Sequence, residues 1–140
     1  MHGDLCMVIG QLGEGIQSFR DLEIWQRGIE LVKTIYSISG SFPQAEIYGL
    51  TSQMRRAAIS IPSNIAEGQI RRHRGEFRQF LHISLGSLAE LETQLIISFE
   101  LGYIKNEILE CILADVHVMG KKIRSLIKKL TTNNESPKTT

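Results

Sequence analysis

A chain of 140 residues with 42% apolar content supplies one domain and a single core that needs neither a metal nor a disulfide to hold it. Aromatics at 6%, one Trp and three Pro argue against a β-sandwich or barrel, and the balance of Leu, Ile, Glu, Lys and Arg favours helices. Sixteen basic against fifteen acidic side chains give a net charge of +1, an average that fits neither a strongly basic nucleic-acid binder nor an acidic disordered chain.

Residues 1–17 contain Gly3, Gly10, Gly13 and Gly15 without a sustained period, which predicts a disordered N-terminal arm. The longest apolar run, Leu5 to Ile9, is too short for a membrane span or a signal-peptide core, so no membrane association and a cytoplasmic location are expected. Met7-Val8-Ile9-Gly10 with Gly13 and Gly15 has the look of a strand entering a phosphate loop. It lacks both the GxGxxG order and a terminal GK[ST], so it reads as a chance glycine cluster.

From Ser18 the pattern becomes helical. Leu22, Trp25, Ile29, Val32 and Tyr36 recur at spacings of three and four, with Ile24, Leu31, Ile35 and Ile38 widening the stripe. Ser18 and Asp21 supply capping oxygens, while Gly40 and Phe42-Pro43 stop the helix, so it is placed at about 21–40. After a loop through Glu46 and Gly49, Thr51 or Ser52 can cap a second helix with Met54, Ala57, Ala58, Ile61 and Ile65 inward. Pro62 lies within it, which predicts a kink or a split, and Gly68 is read as its end.

The third helix carries Phe77, Leu81, Ser84, Leu88, Leu91 and Leu95 in a regular stripe and runs to about Leu101, with Gly102 as its stop. Asn106 can cap the fourth, which carries Ile108, Ile112, Val116, Met119, Ile123, Leu126 and Leu130. Residues 131–140 are polar and read as a disordered tail, leaving 18–130 as the domain. Four amphipathic helices joined by loops of up to about ten residues predict an all-α, antiparallel up-down-up-down four-helix bundle.

No spacing forces a catalytic or metal site together. His2, His73, His82 and His117 form no HExxH pair, no helix carries the Glu-x-x-His of di-iron bundles, and Cys6 and Cys111 are isolated, read as reduced thiols. Glu90 and Glu92 lie about 200° apart on a helix and cannot face one substrate. Neither a cofactor nor an enzymatic activity is expected.

The basic residues carry more information. Arg71, Arg72, His73, Arg74 and Arg78 surround the start of the third helix, with a net charge of +3 over residues 69–78. Lys121, Lys122, Arg124, Lys128 and Lys129 give +5 over residues 121–130, and an antiparallel bundle places both clusters at one pole. Residues 100–115 carry −3 at the other pole, with Glu46 nearby. Acids at the start of the fourth helix and bases at its end suit the helix dipole, but arginines at the start of the third oppose it. A solvated basic end, a protein interface and a phosphate-binding surface all remain open readings of that cluster. The last of these would use Arg71, Arg72, Arg74, Arg78, Lys121, Lys122, Lys128 and Lys129.

Ser18-Phe19-Arg20-Asp21-Leu22 with Trp25, Phe42-Pro43 with Glu46 and Tyr48-Gly49-Leu50, and Ser52-Gln53 with Arg55-Arg56-Ala57-Ala58 form an ordered series. It continues through Ser60-Ile61-Pro62, Asn64-Ile65-Ala66-Glu67-Gly68, Glu76-Phe77, Phe80-Leu81, Gly86-Ser87, Glu90 to Leu95 and Leu101-Gly102-Tyr103-Ile104. Over roughly residues 18–130 this resembles the bacterial four-helix bundle proteins encoded in 23S rRNA intervening sequences. The resemblance implies a ring-forming bundle, typically a homopentamer, without known catalytic activity. It also implies similarity to accessory proteins of diversity-generating retroelements, which bind a reverse transcriptase and nucleic acid, RNA or DNA. Arg55, Arg56, Asn64 and Glu67 fall on its motif positions, and a polar network joining Arg55 or Arg56 to Glu90 or Glu92 is expected. Gly28, in the middle of the first helix, departs from the pattern and would cost about 1 kcal/mol relative to Ala.

Overall fold

The computed structural model describes residues 18–135. Both the expected arm at 1–17 and the last part of the expected tail, 136–140, lie outside the described residues. Among the described residues there are four α-helices: α1 (Glu23–Ser39), α2 (Leu50–Ile70), α3 (Arg74–Glu100) and α4 (Asn106–Glu135). Short 3-10 turns at Phe19–Asp21 and Gln44–Glu46 precede α1 and α2.

Ser18 caps the first of these turns. Its Oγ accepts from the Arg20 amide at 3.1 Å, and Asp21 accepts from the Ser18 amide at 3.3 Å. The predicted capping oxygens are therefore used one turn earlier than expected, and α1 begins only at Glu23. Phe19 then lies on Trp25 with ring centroids 5.5 Å apart, closing the entry to the helix.

The buried face of α1 is Ile24, Gly28, Leu31, Ile35 and Ser39. Trp25 and Val32 pack on its flank, and Tyr36 is exposed, so the face is rotated from the stripe built on Leu22, Trp25 and Tyr36. Gly28 explains the rotation. A Cβ there would stand 3.0 Å from Pro62 Cβ and 3.3 Å from Met119 Cε, so its missing side chain lets α1 approach both α2 and α4.

In α2 the expected inward set, Met54, Ala57, Ala58, Ile61 and Ile65, is buried, joined by Thr51, Pro62 and Gly68. The helix runs unbroken through Pro62, so the chain does not divide there. Thr51 lies inside the helix, and the first turn is held instead by Glu46, whose Oε1 accepts from the Leu50 amide at 3.2 Å. Nor does Gly68 end the helix. It is buried where α2 meets α3, and a Cβ would fall 2.7 Å from Phe80 Cβ.

Small side chains dominate the α2–α3 contact, the most extensive in the molecule. Ser84 Oγ donates to the Ile61 carbonyl at 3.0 Å, Ser60 and Ser87 share a hydrogen bond of 2.8 Å, and Ser98 Oγ donates to the Gln94 carbonyl at 2.8 Å. Buried hydroxyls are tolerated because each is satisfied. Gly102 ends α3 as predicted, with φ +82°; its amide bonds to the Phe99 carbonyl at 2.9 Å and that of Tyr103 to Ser98 at 2.8 Å. The fourth helix continues to Glu135, past the Leu130 boundary assigned from sequence. Neither Gly nor Pro interrupts residues 131–135, and the Thr131 hydroxyl returns to the Ile127 carbonyl at 2.9 Å.

Contacts set the register. Arg55 meets Ser39 while Pro62 meets Gly28; Met54 meets Ser98 while Gly68 meets Phe80; Glu92 meets His117, and Glu23 meets Lys122. Each helix packs on its chain neighbour and α1 also packs on α4, whereas the backbones of α1 and α3, and of α2 and α4, stay apart across the core. Leu31, Ile35, Met54, Ile61, Ile65, Leu81, Leu91, Leu95, Met119 and Ile123 fill the centre. No described helix is long and apolar enough to cross a membrane.

Candidate nucleic-acid interface

The α2–α3 connection is only Arg71, Arg72 and His73, and it turns on Arg72, whose φ of 60° is left-handed. That region is disfavoured for any residue with a Cβ, and glycine is the usual occupant just past a helix end. Arg71, Arg72 and Arg74 are exposed, and Arg78 is half-buried with interactions of its own. Arg71 is the most constrained of the exposed three. It pairs with Glu67 at 3.1 Å and with Glu76 at 3.6 Å, and its guanidinium lies over the Phe80 ring at 5.2 Å. Glu76 in the first turn of α3 offsets part of the unfavourable placement of positive charge at a helix N-terminus.

The end of α4 comes to the same pole. Leu85 and Arg124 line one groove, and Glu92 meets His117, so the register carries the first turn of α3 toward the last turns of α4. On its other side α4 meets the start of α1, where Leu22, Ile24, Lys122, Leu126 and Lys129 line a shallow groove. Lys122 pairs with Glu23 at 3.3 Å. The Arg27 hydrogen bond, reinforced by Lys122, holds the Glu23 carboxyl below its usual range. Lys121, Arg124, Lys128 and Lys129 are exposed and make no ion pair among the described residues; neither do Arg72 and Arg74.

Of the eight candidate phosphate contacts, Arg71 and Lys122 are thus partly neutralised within the chain, and Arg78 is engaged. Arg72, Arg74, Lys121, Lys128 and Lys129 keep uncompensated charge, and Arg124 belongs with them. The residues ring the pole rather than line one groove, because Lys122 and Lys129 face the α1 side of α4 and Arg124 the α3 side.

The polar network expected from sequence is not formed. Arg55 turns to α1, where its Nε donates to Ser39 Oγ at 2.9 Å, and its guanidinium lies over the Tyr36 ring at 4.4 Å. Asn64 Nδ2 donates to Ser60, to the carbonyl at 2.8 Å and the hydroxyl at 2.9 Å. Glu67 pairs with Arg71, and Glu92 lies 3.4 Å from His117 on α4. Arg56 and Glu90 are exposed without an ion pair among the described residues. The reason is rotational: one residue along a helix turns a side chain by about 100°, so Arg55 and Arg56 address different neighbours.

At the opposite pole Glu46 Oε2 accepts from the Tyr103 hydroxyl at 2.8 Å, and the Phe42 and Tyr103 rings are 5.2 Å apart. This bond to Glu46 is the main reason the Tyr103 phenol is raised above its ordinary value. The first loop and the α3–α4 turn are thereby joined, and Glu46 lies on the end of the bundle that carries Glu100 and Glu107. No group of His, Cys, Asp and Glu fit to hold a metal occurs among the described residues, and Cys111 is an exposed free thiol.

Comparison with known proteins gives one family. The sequence pattern of the 23S rRNA-intervening sequence protein family matches residues 20–125. A crystal structure from Bacteroides thetaiotaomicron VPI-5482, of a protein with unknown function from the S23 ribosomal protein family, is similar at 25% identity and a TM-score of 0.70. The similarity covers 75% of this chain and 98% of that one. No curated protein matches.

Proposed function

The chain belongs to the 23S rRNA-intervening sequence protein family, and from that premise we propose that it is a non-enzymatic, self-associating bundle whose basic pole binds nucleic-acid phosphates. The observation that carries the reading is the group of uncompensated cations at one end, Arg72, Arg74, Lys121, Lys128 and Lys129, with Arg72 held in a backbone conformation that costs stability. Strain that persists in a short connection is accounted for when the side chain it presents has a use. Contacts of this kind position phosphates without reading bases, so the binding is weakly sequence-specific and strongly salt-dependent.

Fluorescence anisotropy with a structured rRNA fragment tests this. With about four phosphate contacts, affinity falls about 100-fold between 50 and 200 mM salt. Charge reversal at Arg72 and Arg74 weakens binding while the thermal melt is retained. Undetectable binding at low salt overturns the reading.

Self-association, with the homopentamer of the family resemblance as the expected form, is supported by the outer surface of α3. Ile83 and Ile97 are 48% and 42% exposed on the same face of α3 as mid-helix Gly86, where a Cβ would meet nothing within 4 Å. The same surface supports a second reading, a scaffold for a protein partner such as a reverse transcriptase-like enzyme. A partner that stays bound in high salt favours the scaffold, since salt weakens the phosphate contribution most.

A further inference from the structure

Between the end of α1, the loop after it and the start of α2 lies a groove of about 310 Å³ walled by Ser39, Phe42, Pro43, Ile47, Thr51 and Arg55. Arg55 is its one charged wall, and it is held from three directions. Its Nε donates to Ser39 Oγ at 2.9 Å, its Nη2 donates to the Tyr36 carbonyl at 3.4 Å, and its guanidinium rests on the Tyr36 ring. Ser39 is itself fixed, because its hydroxyl donates to the Ile35 carbonyl at 2.7 Å.

None of these partners is anionic. Arg55 has no carboxylate within ion-pair distance among the described residues, and Nη1 has no acceptor there. The nearby Glu46 is occupied elsewhere, with one oxygen on the Leu50 amide and the other on the Tyr103 hydroxyl. A permanently charged guanidinium, carried by a half-buried side chain and fixed in orientation, is therefore left without an anionic partner beside Phe42, Pro43 and Ile47. Tyr36, which carries the guanidinium on its ring, is more than two-fifths exposed, as is Ile47 in the wall. Arginine and tyrosine around a concave apolar site are the composition of interface anchor points.

We propose that this groove docks a protein segment that presents an Asp or Glu carboxylate next to a branched apolar side chain. The carboxylate takes the free edge of the Arg55 guanidinium, and the apolar group rests on Phe42, Pro43 and Ile47. Charge selects this partner over a nucleic acid. Glu46, Glu100, Glu107 and Glu110 outnumber Lys105 and Arg56 at this end of the bundle and weaken its attraction for a polyanion, whereas one carboxylate gains a charge-assisted, geometrically matched contact. The site lies at the pole away from Arg72 and Arg74, so its test is independent of the nucleic-acid reading.

Amide NMR of the full-length chain, titrated with acetyl-Leu-Glu-Leu-amide and with its Gln counterpart, tests the proposal. The Glu peptide shifts the amides of Ser39, Phe42, Ile47 and Thr51, and the Gln peptide binds at least about fivefold more weakly. Arg55→Gln removes the difference between the peptides. Ile47→Asp, at an exposed position, removes binding while leaving the remaining spectrum folded. Absence of localised shifts at about 5 mM peptide, or equal shifts with both peptides, overturns it. Isovalerate binding as tightly as the Glu peptide overturns it in favour of a free small acid. Concentration-dependent broadening of the same amides without peptide overturns it in favour of a second copy.

Discussion

Arg72 sits at the position past the α2 C-cap, where a left-handed backbone crowds any Cβ against the following carbonyl. Arg72→Gly relieves that crowding and is expected to stabilise the fold by about 0.5–1 kcal/mol, less than the full strain because glycine also gains freedom in the unfolded chain. The same change removes an uncompensated charge from the basic pole, so denaturant midpoint and RNA affinity should move in opposite directions. A loss of stability on Arg72→Gly would show that the side chain itself supports the fold. Other residue-scale roles were only partly legible. The Glu67–Arg71 pair follows from a four-residue spacing on one helix. Lys122–Glu23 joins chain positions that nothing local connects. Glu23 carries a pH consequence: its folded pKa is lowered, so its contribution is present above the unfolded value near 4.5 and is lost as pH falls through the folded one. Glu23→Gln should therefore be slightly less stable than the native chain at pH 7, by under about 1 kcal/mol for so exposed a pair. The two proteins' melting temperatures should converge as pH falls through the folded value.

Among the elements, three glycines inside helices behave in two ways. Gly68 was readable as a helix stop and Gly28 as a weak point, yet both are sites of close helix approach. At Gly68 a methyl would stand 2.7 Å from Phe80 Cβ and 3.4 Å from the Phe77 backbone. Gly68→Ala is therefore expected to cost about 1–2 kcal/mol by denaturant unfolding, overpacking outweighing better helix propensity. Gly86→Ala meets nothing and should stabilise an isolated bundle by about 1 kcal/mol. If the outer surface of α3 joins copies, the same methyl lowers the solution mass at a given concentration. Periodicity made the helices legible because a two-faced helix must repeat its apolar residues every three or four positions. It misplaced the α1 face because Gly28, which adds nothing to an apolar count, lies at its centre. The last turn of α4 was read as tail because residues 131–135 are polar, although polarity alone does not end a helix.

For the whole molecule, the order of the helices decides what the near-zero net charge means. Alternate helix ends meet, so two basic segments far apart in sequence gather at one pole and the acids of residues 100–115 gather at the other. This was legible without coordinates, because only helix number and direction enter it; how much of the charge is neutralised internally was not. The separation is large on an electrostatic scale. At 27 residues α3 extends about 40 Å, several times the screening length of about 10 Å in 0.1 M salt. Charge changes at the two poles should then act independently on a polyanion. Reversal at Arg72 and Arg74, or at Lys128 and Lys129, is expected to reduce the slope of log affinity against log salt by about one per lost phosphate contact. Glu107→Lys with Glu110→Lys should leave that slope unchanged at 0.1–0.2 M salt. The three double variants compared by anisotropy on one RNA separate a localised phosphate site from diffuse attraction. Equal effects at both poles would mean that binding follows net charge alone, and the basic pole would then be a solvated end of the bundle.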